Sequence, residues 1–172
     1  IPLTPRRKIQ MNTLVKHDED ELMFGAEEVD AELDMGSAKW KIMLVDDEPD
    51  IHEVSKMALN DFSFDDRGVE FICALSGAEA KQSILDHPDT AVMLLDVVME
   101  TEHAGLDVAK FVREEANNKN VRIILRTGQP GQAPEKKVIT EYDINDYKEK
   151  TELTASKLFT LMYASLRSYR DI

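Results

Sequence analysis

Five side chains at the ends of apolar runs could together handle a phosphoryl group: an adjacent acid pair, Asp46 and Asp47, a lone acid, Asp96, a hydroxyl, Thr127, and a lysine, Lys150. Carboxylates that converge in one place repel and raise one another's pKa unless a cation neutralises them. A hard, oxygen-rich site that keeps several waters suits Mg²⁺. Beside such an ion a carboxylate can act as nucleophile toward a phosphoryl group, while the ion offsets charge on the transferring oxygens; Asp96 is the candidate nucleophile. The Thr127 hydroxyl could donate to one phosphoryl oxygen and the Lys150 ammonium could balance another.

Each residue alone has a plainer reading. Asp47, ahead of Pro49, is a good helix N-cap, with proline in the first turn. Asp96 could end a strand in a turn, Thr127 could open the turn through Gly128 and Pro130, and Lys150 could be a surface lysine. The chemical reading rests on their order: acid pair, acid, hydroxyl and lysine follow successive strand ends inside a repeating pattern.

That pattern begins near Trp40. Short apolar runs at 42–45, 69–74, 91–95 and 121–125, and a weaker one at 144–147, alternate with helical spacing at 50–59, 77–85, 105–116, 135–141 and 153–169. Strand and helix in strict alternation predict an α/β domain with a parallel sheet. Right-handed crossovers make it doubly wound, with ligands bound at the carboxyl ends of strands near the switch point. If strands one and three are neighbours, Asp46, Asp47 and Asp96 converge.

The organisation read from the sequence is an acidic leader over 1–38, a core over 39–152 and a terminal helix over 153–172. Residues 1–10 have the character of a vector-derived stretch ahead of a native start at Met11. Residues 18–34 carry nine acids and no Lys or Arg, so that segment repels itself and buries little. It is expected to be a mobile, solvated tail, although Leu22-Met23-Phe24 could insert into a partner's groove. A formal charge of −13 argues against direct nucleic-acid contact. No apolar run approaches the ~20 residues that span a bilayer, so no membrane insertion is expected and the cytoplasm is the expected location. Cys73 rules out an internal disulfide, and its apolar neighbours, Phe71-Ile72 and Ala74-Leu75, predict core packing.

Over residues 40–170 the chain resembles the receiver domains of two-component response regulators. Lys41-Ile42-Met43-Leu44-Val45-Asp46-Asp47-Glu48-Pro49 looks like their first strand and metal-binding acid pair, and Leu94-Leu95-Asp96-Val97-Val98-Met99 like their phosphoacceptor segment. Gly105-Leu106-Asp107 resembles the start of their third helix, Thr127 their switch hydroxyl, Tyr147 their switch aromatic and Lys150 their lysine. The resemblance implies a flavodoxin-like (βα)₅ fold with strand order 2-1-3-4-5. It also implies Mg²⁺ held by Asp46, Asp47, Asp96 and the Val98 backbone carbonyl. The pattern departs at Glu100, where proline usually follows the methionine, at the longer loop Thr101-Glu102-His103, and at Thr151, which replaces the proline that commonly follows the lysine through a cis peptide. Arg126-Thr127-Gly128-Gln129-Pro130-Gly131-Gln132-Ala133-Pro134 and Lys148-Glu149-Lys150-Thr151-Glu152-Leu153-Thr154 look like a subgroup found upstream of cyclic-di-GMP phosphodiesterase outputs.

The implied role is a phosphoacceptor signalling domain, not an enzyme beyond its own phosphoryl transfer and dephosphorylation. The donor would be a sensor histidine kinase or phosphotransfer protein. Thr127 and Tyr147 would then move and alter a protein-interaction surface, with the Gly- and Pro-rich stretch 128–134 suited to a mobile loop there. The terminal helix carries Leu153, Leu158, Leu161, Met162, Leu166 and Tyr169, enough apolar surface to suggest a homodimer contact or a fused C-terminal output domain. The rival readings are a degenerate receiver acting as a phosphorylation-independent interaction module, and a haloacid-dehalogenase-like phosphatase. The second would need two acids spaced two residues apart after the first strand, where Asp46 and Asp47 are adjacent.

Overall fold

In the computed structural model the described residues are 38–128 and 135–172, and the compact unit spans Lys39–Ile172. The expectations for the acidic leader and the Gly- and Pro-rich loop therefore fall outside the described residues, except at Ala38 and Gly128. Five parallel strands form one sheet in the order β2-β1-β3-β4-β5. They are β1 (Trp40–Val45), β2 (Val69–Ala74), β3 (Val92–Asp96), β4 (Arg122–Thr127) and β5 (Asp146–Glu149). The helices are α1 (Pro49–Ala58), α2 (Gly77–Asp86), α3 (Ala104–Lys110), α4 (Glu135–Glu141) and α5 (Ala155–Arg170).

The central strands are apolar through their middles, 42–45, 92–95 and 123–125, because both of their faces are covered there. On one face Met43, Val45, Met93, Leu95, Ile123 and Leu125 pack against Ile84 of α2 and Val108 and Val112 around α3. On the other, Ile42, Leu44, Val92, Leu94 and Ile124 pack against Leu158, Met162 and Leu166 of α5 and Leu59 behind α1. Side chains alternate between the layers as the two-residue period of a strand requires. Each fully buried Leu, Ile or Met contributes about 1.5–3 kcal/mol, so this double layer fixes the register that aligns the strand ends.

Several elements differ from the sequence reading. Cys73 is exposed, because β2 is an edge strand on which Glu70 and Cys73 are left uncovered. Helix α3 does not run evenly to 116: its last turn, Phe111–Glu115, is a π-helix, and there Arg113 turns inward. Its guanidinium donates to Asp143 O from both Nε (3.1 Å) and Nη2 (3.0 Å), to Asn118 O (2.9 Å) and to Asn145 Oδ1 (3.1 Å), tying the amino ends of β4 and β5 to α3. Strand β5 starts at Asp146, since Ile144 lies in the preceding turn with its N–H bonded to Ile139 O. A 3₁₀ turn, Lys150–Glu152, precedes α5, which starts at Ala155 behind the N-cap Thr154. Leu158, Met162 and Leu166 belong to the core, with Leu161 and Tyr169 packed against it. The large apolar side chains that α5 exposes are Phe159 and Tyr163 instead. No helix among the described residues is long and apolar enough to cross a membrane.

Candidate functional site

Strand β1 carries Asp46 to the edge of the buried layer and releases the chain there. Asp46 is fully buried; its Oδ1 accepts the Glu48 N–H (3.0 Å), and its carbonyl accepts the buried His52 Nε2–H (2.7 Å) from the first turns of α1. A carbonyl only accepts, so His52 must carry its proton on Nε2. Glu48, not Asp47, is the N-cap of α1, so the plainer reading of Asp47 does not hold; the residue is exposed beside the strand ends.

Strand β3 ends at Asp96, 3% exposed. Helix α3 begins almost in contact with it: Gly105 N–H donates to Val97 O (2.9 Å), and a Cβ at Gly105 would overlap Asp96 O and lie 2.8 Å from Asp96 C and Val97 Cα. Only glycine permits this approach. Between them, Glu100 explains the departure from proline. Its Oε1 accepts the Gly77 N–H at the start of α2 (2.8 Å), so a charged side chain pins the β3–α3 loop to the neighbouring helix.

The remaining residues arrive from β4 and β5. Lys150 Nζ lies 2.9 Å from Asp46 Oδ2 and 3.1 Å from Asp96 Oδ2; the second contact is a hydrogen bond, the first an ion pair without hydrogen-bond geometry. Lys148 instead sits 3.7 Å from Asp146. Thr127 is buried at the carboxyl end of β4, one position beyond the Asp96–Arg126 register pair, and Tyr147 is half-buried against the α2–α3 layer. No cis peptide occurs among the described residues, so the Lys150–Thr151 bond is trans. Asp47, Glu48, Asp96, Val98, Met99, Gly128 and Lys150 line an open cavity of about 320 Å³.

Oxygens of Asp46, Asp47 and Asp96 all lie within 4.8 Å of one another, a spacing and donor set that fit a hard divalent cation. The buried Asp46 Oδ2 is engaged by the Lys150 ammonium at 2.9 Å, and a carboxylate oxygen so placed is also a ligand that such an ion accepts. Burial pushes the Asp96 carboxyl above its ordinary pKa; the Lys150 hydrogen bond opposes this and the Asp46 charge adds to it. Burial works against the Lys150 ammonium, but its contacts with Asp46 and Asp96 prevail and raise its pKa.

Sequence reasoning missed three polar residues packed behind the acid cluster. Arg126 is 5% exposed, with Nη1 donating to Ser55 Oγ (3.1 Å) and Nη2 lying 3.8 Å from Asp46 Oδ2. Burial lowers its pKa, and Asp46 and Asp96 pull it back up. Its signal was a charge closing an otherwise apolar strand beside the acids. His52 and Ser55 were the polar residues on the inner face of α1.

These features define a class: a doubly wound domain with a carboxylate cluster and a lysine at its strand ends. No protein-family model matches the chain. It is 55% identical over 133 residues to the 3'3'-cGAMP-specific phosphodiesterase 2 of Vibrio cholerae, a match covering 77% of this chain and 26% of that protein. It is 31% identical over 109 residues to the chemotaxis protein CheY1 of Helicobacter pylori, covering 62% of this chain and 82% of that one. The signal receiver domain of an HD domain-containing protein from Pseudomonas fluorescens superposes with a TM-score of 0.64 at 17% identity, over 78% of this chain and all of that one. The chain belongs to the receiver domains of response regulators.

Proposed function

We propose that this receiver takes a phosphoryl group on Asp96 from the phosphohistidine of a sensor histidine kinase or phosphotransfer protein, in the cytoplasm, with Mg²⁺ as its cofactor. The observation that carries the reading is the Lys150 ammonium reaching both Asp46 and Asp96 while three carboxylates share one small volume. Asp46, Asp47, Asp96 and the Val98 carbonyl would hold the ion, which when bound neutralises the acids and the incoming phosphoryl oxygens. An Asp96 oxygen forms the new P–O bond as the P–N bond breaks, and the donor imidazole keeps the electron pair and takes a proton. Lys150 balances charge on a transferring oxygen, and Thr127 donates its hydroxyl to another. Movement of Thr127 and Tyr147 then changes the face formed by α4, β5 and α5. Catalysis is limited to the domain's own phosphorylation and dephosphorylation.

The chain spans 26% of the length of the V. cholerae phosphodiesterase it matches, and the activity in that relative's name suggests what the changed face controls. We infer that the partner is a fused C-terminal output of the cyclic-dinucleotide phosphodiesterase class. The direct test is acetyl phosphate with Mg²⁺, followed by intact-mass measurement of wild type and Asp96→Ala. Wild type should gain one phosphoryl group and the variant none. A gain in both would overturn the assignment of Asp96; a gain in neither would favour a phosphorylation-independent interaction module.

A further inference from the structure

Among the described residues two arginines are buried, and they are held differently. Arg113 bonds through Nε, Nη1 and Nη2, as a structural clasp should. Arg126 has a single hydrogen bond, to Ser55 Oγ, whose own proton goes to Ile51 O (2.8 Å); its Nε and Nη2 have no hydrogen-bond partner. A buried guanidinium left so poorly bonded costs stability unless nearby negative charge compensates it. That charge is present: Asp46 Oδ2 is 3.8 Å away, and Asp96 is the register partner of Arg126 on β3. The arginine is therefore held by the field of the acid site more than by its bonds.

We propose that Arg126 is a resident counter-charge of the acid site, weakening divalent-cation binding before phosphorylation and balancing the site after it. The inference rests on the reading of Asp96 as phosphoacceptor. Before transfer, with the exposed Glu48 at the cavity rim left to solvent, the clustered carboxylates of Asp46, Asp47 and Asp96 are offset by the cations Lys150 and Arg126 to an excess of one negative charge, and a bound divalent ion overshoots neutrality. Transfer adds about one net negative charge, because a phosphoryl group brings about two and replaces the carboxylate's own. The phosphorylated, metal-bound site is then neutral. Without Arg126 neutrality would fall one step earlier, on the unphosphorylated metal complex.

The test measures Mg²⁺ affinity by titration calorimetry on unphosphorylated wild type, Arg126→Met, Arg126→Lys and Ser55→Ala. Arg126→Met should bind Mg²⁺ about tenfold more tightly, the scale of removing one unit charge near a divalent ion in a partly screened site. Arg126→Lys should resemble wild type, and so should Ser55→Ala, which removes the hydrogen bond but keeps the charge. With beryllium fluoride as phosphoryl mimic, wild type should gain more in Tm from Mg²⁺ than Arg126→Met does. Unchanged affinity in Arg126→Met, or the same tightening in Ser55→Ala, overturns the proposal. Should Arg126→Met not fold, Arg126→Gln takes its place; failure of both to fold shows a purely structural arginine and also overturns it. Absence of Mg²⁺ binding by wild type would instead overturn the reading of the site itself.

Discussion

Replacing Gly105 by alanine sets two effects of opposite sign against each other. Alanine favours a helix over glycine by about 1 kcal/mol. At Gly105 the new Cβ would overlap Asp96 O and stand 2.8 Å from two backbone carbons, where about 3.5 Å is the comfortable separation. Those atoms belong to a buried central strand that cannot yield, so α3 must retreat by about 0.7 Å or more. Overpacking of this kind costs about 1–3 kcal/mol and occasionally more; with backbone on both sides we expect the upper end, for a net loss of about 2 kcal/mol. In a domain of this size that lowers Tm by about 6–10 °C. Because α3 anchors the loop that follows Asp96 and contains Val98, phosphorylation by acetyl phosphate should slow by about tenfold, the scale of a misplaced reacting group. Thermal melting and time-resolved intact mass read both effects. A variant as stable as wild type, or more so, with a normal rate would show that the close approach of α3 to β3 is not a constraint.

Three further outcomes follow from the same geometry. Lys150→Met leaves Asp46 and Asp96 facing one another, and without Mg²⁺ it should lose about 2–4 kcal/mol in urea unfolding, with millimolar Mg²⁺ restoring most of the loss. Asp96→Asn tests the raised pKa of Asp96. A raised folded value means that its contribution is full below the ordinary carboxylate value of 3.8 and lost as pH rises through the folded one, so the variant should melt above metal-free wild type at pH 7, with the difference closing below 3.8. Arg113→Met strands buried acceptors at the amino ends of β4 and β5 and should cost about 2–3 kcal/mol, yet Asp96 should still be phosphorylated to the wild-type extent.

The sheet was legible where burial is symmetrical. β1, β3 and β4 are covered on both faces, and their continuous apolar runs mark them without ambiguity. The edge strands are half-covered, which is why Cys73 was misplaced and why Ile144 drew the start of β5 too early: Ile144 is buried from a turn, and burial alone does not distinguish a turn from a strand. The π-turn of α3 was invisible because its residues keep helical spacing; what distinguishes it is an arginine bonded to loops some thirty positions away. Acids at strand ends stand out because polar residues interrupt apolar runs. Arg126 interrupts one too, but a single sequence does not reveal which acid it faces. Glu100 was visible as a departure, and the Gly77 N–H it accepts could be found only once α2 and the β3–α3 loop lay side by side.

Trp40 is the only tryptophan in the chain. Its indole N–H is bonded to Phe64 O (2.8 Å), Arg67 lies over its ring, and Tyr169 meets it edge-on near the end of α5. The domain thus carries one tryptophan, which can be excited apart from its four tyrosines, lodged at the amino end of β1, away from the acid cavity and against the helix that leads toward the C-terminus. Its emission reports on the seating of that helix without any attached label. A shift in colour or quenching on adding a phosphoryl donor would follow a signal arriving at the opposite pole of the sheet, in real time and from native protein.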